Sequence, residues 1–197
     1  MTDLPIQCAC GSVRGTLCEV SPDTVQHYVC HCDDCRAFIR HIDRAGDLLT
    51  EHGGTAVIHS TPARYTLTEG RDQLAAVRLS PKGLLRFYAS CCNTPLGSVL
   101  EKPGIPLVSI ARVALPADAS AHIGASRGVN ARFAIGDRST LDAAERLPLS
   151  VLPATLCRLM LQKLQGQAYP STFHEADGRP ILEPTVLSAG QRAALQD

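Results

Sequence analysis

Short runs in which apolar and polar residues alternate occupy most of the chain up to residue 115, and they predict strands. Residues 12–20 and 25–30 carry β-branched side chains and are separated by Ser21-Pro22-Asp23, which reads as a hairpin. Cys35, Phe38, Ile39 and Ile42 then recur at helical spacing, so one helix is expected there, capped by Asp33 or Asp34. Residues 55–59, 63–67, 74–79 and 84–89 predict a strand meander whose last turn is Ser80-Pro81-Lys82-Gly83, and residues 107–115 add a further strand. Residues 116–140 show no periodicity that selects a state. Leu152, Leu156, Leu159, Met160 and Leu164 repeat at helical spacing from Pro153 towards Gly166, predicting an amphipathic helix packed on the sheet, and Ser188 can cap a short final helix over 188–195. The expected architecture is a mainly β domain over residues 1–140 with a helical C-terminal extension, 141–197, packed on it.

Composition sharpens this picture only where it excludes. With 197 residues, 45% of them hydrophobic, the chain can bury one core. It lacks an apolar run of about 18 residues, and Met1 to Gln7 shows no basic segment followed by an apolar one, so no membrane partner is expected and the expected location is cytoplasmic. Nineteen basic and nineteen acidic side chains balance, and no basic stripe is interleaved with aromatics, which argues against nucleic acid as a partner.

Candidate chemistry lies in the nine cysteines, most of which fall into Cys8-Ala9-Cys10-Gly11, Cys30-His31-Cys32-Asp33-Asp34-Cys35 and Cys91-Cys92. Sulfurs spaced one and two residues apart can converge on one Zn²⁺ from a tight loop, whereas each close pair is too short for easy disulfide geometry. Cys30, Cys32 and Cys35 offer three thiolates and leave a tetrahedral position vacant, the form of a catalytic zinc, unless His27, His31 or His41 closes it. Cys8 and Cys10 make half a site, and Cys91 and Cys92 are the candidates to complete a structural zinc. Closing that long loop costs a few kcal/mol, against on the order of 10 kcal/mol returned by a structural zinc. Two carboxylates between Cys32 and Cys35 would raise their thiol pKa values, which argues against a redox pair. Cys18 and Cys157 read as small buried hydrophobes. His52, His59, His122 and His174 read as surface or internally satisfied residues.

The ordered set Cys8-x-Cys10-Gly11, Cys30-His31-Cys32-x-x-Cys35-Arg36 and Cys92-x-Thr94-Pro95-Leu96 resembles the zinc proteins grouped around glutathione-dependent formaldehyde-activating enzyme and centromere protein V, over about residues 6–113. The resemblance implies a β-tent fold of small antiparallel sheets. It also implies a structural zinc on Cys8, Cys10 and Cys92 and a catalytic zinc on Cys30, Cys32 and Cys35. The family's third motif is Cys-x-x-Cys-Gly-Thr-Pro; this chain has Ala89 at the first cysteine and Asn93 at the glycine, and the missing ligand moves to Cys91.

The activity so implied is reversible joining of glutathione, or another thiol, to formaldehyde or another small aldehyde, a carbon–sulfur lyase reaction of the S-(hydroxymethyl)glutathione synthase type. The vacant zinc position would hold the thiolate beside the aldehyde carbon, and Arg36 could meet a tripeptide carboxylate. The alternative is a non-catalytic zinc-stabilised binding module whose helix at 152–164 docks a partner. A fourth protein ligand on the middle zinc, or an exposed apolar stripe on that helix, would favour it.

Overall fold

Alternation along each strand sends one set of side chains into a shared core and the other to the opposite face of the sheet, and both faces matter here. The computed structural model describes residues 1–146 and 152–196. The N-terminal half runs β1 (Thr2–Gln7), β2 (Arg14–Val20), β3 (Gln26–Cys30), α1 (Asp33–His41), α2 (Ala45–Leu48), β4 (Thr55–Ser60), β5 (Tyr65–Glu69), β6 (Leu74–Arg78) and β7 (Leu85–Ala89). It continues through β8 (Thr94–Val99), β9 (Val108–Ala111), α3 (Ser120–Ile123), β10 (Arg127–Val129), β11 (Ala143–Ala144), α4 (Leu152–Leu164), β12 (Thr185–Val186) and α5 (Ala189–Ala193).

The protein is mainly β. One antiparallel sheet has the order β1-β2-β5, and a nine-stranded sheet has the order β11-β10-β3-β4-β9-β8-β7-β6-β12. The centre of the large sheet, β3 to β6, is antiparallel, while β10, β11 and β12 add to it in parallel. The expected meander over β4 to β7 does not form: β5 joins the small sheet and β4 pairs with β3 and β9, so the sequential antiparallel run is β6 to β9 instead. The turn after β6 closes through the Gly83 N–H donating to the Ser80 carbonyl at 3.0 Å. β1 and β8 are additional to the expected strands. β8 contains Pro95 and Gly97, both poor strand formers. Gly97 is required there, because a Cβ would stand 2.9 Å from the Phe173 ring.

The hairpin expected between residues 12–20 and 25–30 does not form. β2 pairs with β1 and β5, and β3 pairs with β4 and β10. At the turn between them the Thr24 hydroxyl donates to the Glu19 carbonyl at 2.7 Å and accepts from the Ser21 N–H at 2.8 Å, with Glu19 in the left-handed region. This compact side-chain turn redirects the chain from one sheet to the other. The strand expected at 63–67 starts at Tyr65 because Pro62–Arg64 forms a 3₁₀ turn.

Leu4, Ile6, Leu17 and Tyr65 of the small sheet meet Leu85, Phe87, Leu96 and Ile110 of the large one, forming the main core. On the other face of the large sheet a second cluster joins Ala37, Phe38, Ile39 and Ile42 of α1 to Val77, Leu79 and Leu187. The C-terminal tail is therefore part of both layers: Leu187 and β12 cover β6, and Phe173 stacks on Phe87 with ring centroids 4.5 Å apart. Ser188 caps α5 in a capping box with Gln191, as its sequence predicts.

Helix α4 forms where its periodicity places it and ends near Gly166, which has φ 72°. Its apolar stripe does not pack on the sheet as expected. Leu156, Met160, Leu161 and Leu164 are exposed, Leu164 to 83%, and the Leu152 side chain lies outside the described residues. The mixed side with Thr155, Arg158 and Leu159 faces a cavity instead. Among the described residues, no helix is long and apolar enough to cross a membrane.

This division predicts opposite outcomes for two apolar truncations in the tail. Phe173→Ala should lower the unfolding free energy by about 3–5 kcal/mol, and Leu164→Ala should change it by less than about 0.5 kcal/mol. Urea midpoints measure both; equal effects would contradict the placement of the tail.

Candidate functional site

Four sulfurs meet where the two sheets touch. The β1–β2 turn presents Cys8 and Cys10, the β7–β8 turn presents Cys91 and Cys92, and all four Sγ atoms lie within 4.8 Å of one another. Cys8 Sγ is 3.5 Å from Cys10 Sγ and 4.0 Å from Cys91 Sγ, Cys10 to Cys91 is 3.2 Å, and Cys91 to Cys92 is 3.8 Å. The local fold builds this knot. Gly11 takes φ 79° so that the turn can fold back, and the Val13 N–H then donates to Cys8 Sγ at 3.2 Å. Across the gap the Ala9 N–H donates to Thr94 Oγ1 at 2.9 Å, and the same hydroxyl lies 3.1 Å from Cys92 Sγ.

Asn93 has φ 52°, a conformation that asparagine tolerates better than other side chains, which accounts for asparagine at a position where glycine is the usual solution. Ala89 is fully buried in the core, and it is Cys91 in the turn that brings a fourth sulfur to the group. Cys8, Cys10, Cys91 and Cys92 could hold one metal ion in a closed site. The Ser12 hydroxyl, 3.3 Å from Cys10 Sγ, favours the thiolate and lowers the Cys10 pKa to about 6.

The second group is Cys30 at the end of β3 with Cys32 and Cys35 at the start of α1, again with all Sγ atoms within 4.8 Å. Cys32, rather than Asp33 or Asp34, is the N-cap of α1: its sulfur accepts from the Cys35 N–H at 3.4 Å. The two aspartates instead occupy the first turn, where the helix dipole favours negative charge. Hydrogen bonds from Cys32 and Cys35 hold the Cys30 thiol far below its usual range, with Asn130 Nδ2 a further donor at 3.4 Å. Donating to Cys30 in turn pushes Cys32 and Cys35 up. Three thiolates cannot share so small a space without a cation. A divalent ion would displace the remaining protons and leave one ligand position open.

No histidine or carboxylate among the described residues joins these three sulfurs. His31 is fully buried, its Nδ1 3.2 Å from the Val129 carbonyl, and His27 Nδ1 is 3.2 Å from the Gly124 carbonyl. His41 is likewise outside the group. The histidine closures considered from the sequence are not made.

The open side of the trio faces a cavity of about 450 Å³. Cys30, Cys32 and Cys35 line it together with Tyr28, His59, Arg86, Ser98, Ser109 and Asn130, and α4 covers it with Thr155, Arg158 and Leu159. Its floor is the face of the large sheet turned away from the main core. Strand register sets Arg86 opposite Ser98, Ser98 opposite Ser109, Ser109 opposite His59 and His59 opposite Gln26, a polar row across five strands.

Arg36, expected to meet a substrate carboxylate, is not in this cavity. It is 4% exposed, ion-paired to Asp33, and donates to the Phe133 carbonyl at 3.0 Å. Its packing beside Gly53 makes it a structural arginine here. His59, read from the sequence as surface or satisfied, is a cavity residue with its ring edge-on to Tyr28, centroids 5.0 Å apart. His174 is internally satisfied, between Ser171 Oγ at 2.9 Å and the Leu100 carbonyl at 2.9 Å. Cys157 is exposed rather than buried, because α4 turns that side to solvent. Arg86, His59, Asn130 and Arg158 escaped sequence reasoning because they lie on four elements; the alternation in β7, which separates Arg86 from Leu85 and Phe87, was the one local signal.

Burial lowers the His59 pKa to about 4, below an unfolded value of about 6.5. Between these values the unfolded chain binds the extra proton, so stability rises with pH through the window and is lost on acidification. Urea midpoints of wild type and His59→Gln between pH 4 and pH 7 should diverge, the wild type losing on the order of 2–3 kcal/mol more on acidification. Parallel profiles would contradict the burial of a neutral His59. Proton competition at the cysteines is common to both proteins and cancels in the comparison.

No curated protein matches the sequence. A protein-family model does, over residues 1–184, which takes in both cysteine groups, the cavity and Phe173 of the tail. The chain belongs to the family of unknown function DUF6151.

Proposed function

We propose that the chain is a two-zinc protein with a closed structural site and an open site that handles a thiol adduct of a small aldehyde, as a carbon–sulfur lyase. The observation that carries this reading is the incomplete ligand set of Cys30, Cys32 and Cys35 at the wall of a cavity of about 450 Å³. The four sulfurs of the closed site fit the same metal. Sulfurs about 2.3 Å from a tetrahedral zinc stand about 3.8 Å apart, and the observed separations are 3.5, 4.0, 3.2 and 3.8 Å. All-sulfur donor sets also favour zinc among the abundant divalent ions.

When bound to the three thiolates, zinc would supply a Lewis-acid centre with one exchangeable position, suited to keeping an incoming thiol ionised. The remaining work falls to the chain. Asn130 donates to Cys30 and fixes its orientation, and the Cys35 N–H does the same for Cys32. His59 stays neutral at physiological pH, so the cavity wall presents an uncharged imidazole that can donate or accept. Helix α4 covers the cavity and limits water around the sulfur and the carbonyl carbon. The balanced step is addition of thiolate sulfur to the aldehyde carbon, with the carbonyl oxygen taking a proton. In reverse the hydroxyl loses that proton as the carbon–sulfur bond breaks. Glutathione and formaldehyde are the pair that the motif resemblance suggests.

A second reading is favoured by one observation. The exposed Leu156, Met160 and Leu164 on α4 are what a non-catalytic zinc module docking a partner through that helix would show.

Exchange spectroscopy by NMR on glutathione mixed with formaldehyde separates the two. Full-length protein should speed exchange between free glutathione and its adduct by at least about tenfold. Cys32→Ser should return the rate to background, while Cys157→Ser should leave it unchanged. No acceleration by metal-loaded wild type would remove the lyase reading and leave the binding module.

A further inference from the structure

Three arginines of the large sheet and α1 are almost fully buried: Arg36 at 4%, Arg86 at 5% and Arg78 at 7% exposure. Two of them have conventional partners. Arg36 pairs with Asp33 and donates to Phe133, and Arg78 pairs with Glu101 at 3.0 Å and donates to the Pro81 carbonyl at 2.9 Å. Arg86 has neither. Its guanidinium stands against the Phe38 ring, whose centroid lies 5.4 Å from Cζ, and no carboxylate or carbonyl among the described residues accepts from it. A guanidinium held out of bulk water without an acceptor is costly, and such groups are found where a ligand supplies the missing charge.

The surroundings point the same way. Arg86 lines the cavity with Cys35, and its cross-strand neighbour Ser98 and, opposite Ser98 on the next strand, Ser109 present hydroxyls that make no hydrogen bond to described residues. Arg158, from α4, brings a second guanidinium with no carboxylate partner among the described residues to the same space. The one carboxylate in the wall, Asp34, is engaged by Arg192 at 2.6 Å and cannot neutralise Arg86. Leu84, Val99, Leu107 and Leu159 provide apolar wall around these groups.

We propose that Arg86, with the Ser98 hydroxyl beside it and Ser109 one strand further along the same row, is an oxyanion receptor, so that the cavity takes a ligand with a carboxylate, sulfonate or phosphate at one end and an apolar middle. The receptor stands on its own geometry. That the opposite end of the ligand is a sulfur at Cys30, Cys32 and Cys35 rests on the thiol-binding reading above. Arg86 rather than Arg36 is then the residue that selects the ligand, and Phe38 of α1 packs against its guanidinium.

Isothermal titration calorimetry on full-length, zinc-loaded protein tests this with ω-mercaptocarboxylates from mercaptopropionate to mercaptooctanoate. Each is compared with the mercaptoalcohol and the mercaptosulfonate of equal length, and with butyrate and inorganic phosphate as anions that lack a thiol. At the best length the carboxylate or sulfonate should bind at least about tenfold tighter than the alcohol, the scale of a charge-assisted hydrogen bond. Arg86→Gln should abolish that preference without weakening the alcohol, and Arg86→Lys should retain part of it. The preference between carboxylate, sulfonate and phosphate identifies the natural headgroup class. Equal binding of alcohol and anion by wild type would overturn the receptor while leaving thiol binding intact. Binding of butyrate or phosphate that Arg86→Gln removes, with no thiol contribution, would support the receptor and overturn the thiol reading. No binding of any probe would overturn both. The wild-type comparison requires no variant to fold, and Ser98→Ala, expected to reduce the preference, provides a milder change in the same site.

Discussion

Seven sulfurs held in two groups, each within 4.8 Å, impose a charge problem on which the rest of the structure depends. Thiolates that close repel one another, and thiols that close lock one proton arrangement, as the opposed shifts of Cys30 against Cys32 and Cys35 show. A divalent cation resolves both at once. At Cys8, Cys10, Cys91 and Cys92 it would also tie the β1–β2 turn to the β7–β8 turn, so that one ion fixes the approach of the two sheets over a separation of more than eighty residues.

That large sheet is used on both faces. In β7, Leu85, Phe87 and Ala89 enter the main core while Arg86 faces the cavity, and the same alternation puts Ile58 inside and His59 outside in β4. The core and the cavity therefore share strands but not side chains. The polar row from Arg86 to Gln26 exists only through cross-strand register. The tail completes the arrangement from above, with Phe173 anchored in the core and α4 laid across the opening with its apolar side outward.

Local signals made much of this legible in the amino-acid sequence. The cysteine groups, α1, α4, α5 and most of the strands follow from spacing and turn chemistry that act over a few residues. Apart from the N-cap of α1 and the start of β5, what differs is non-local. The hairpin between β2 and β3 was a correct pair of strands with a wrong partner, because Thr24 closes a turn that sends the chain between sheets. Arg36 was chosen for its nearness to Cys35 along the chain, yet helix geometry buries it, while Arg86 reaches the same region through the sheet. The stripe on α4 satisfied the period of a packed helix, but periodicity fixes which residues share a face and not what that face meets.

The structure thus separates a four-sulfur group that joins turns of the two sheets from a three-sulfur group that faces a cavity. The metal in both is proposed to be zinc. Native mass spectrometry of full-length protein purified without chelator tests that separation most directly, because one spectrum counts metal ions and reports the oxidation state of the cysteines. Two zinc ions per chain with every cysteine reduced is the predicted result. A metal-free chain whose mass is lowered by disulfide formation, or a chain that holds one zinc and cannot take a second, would contradict it.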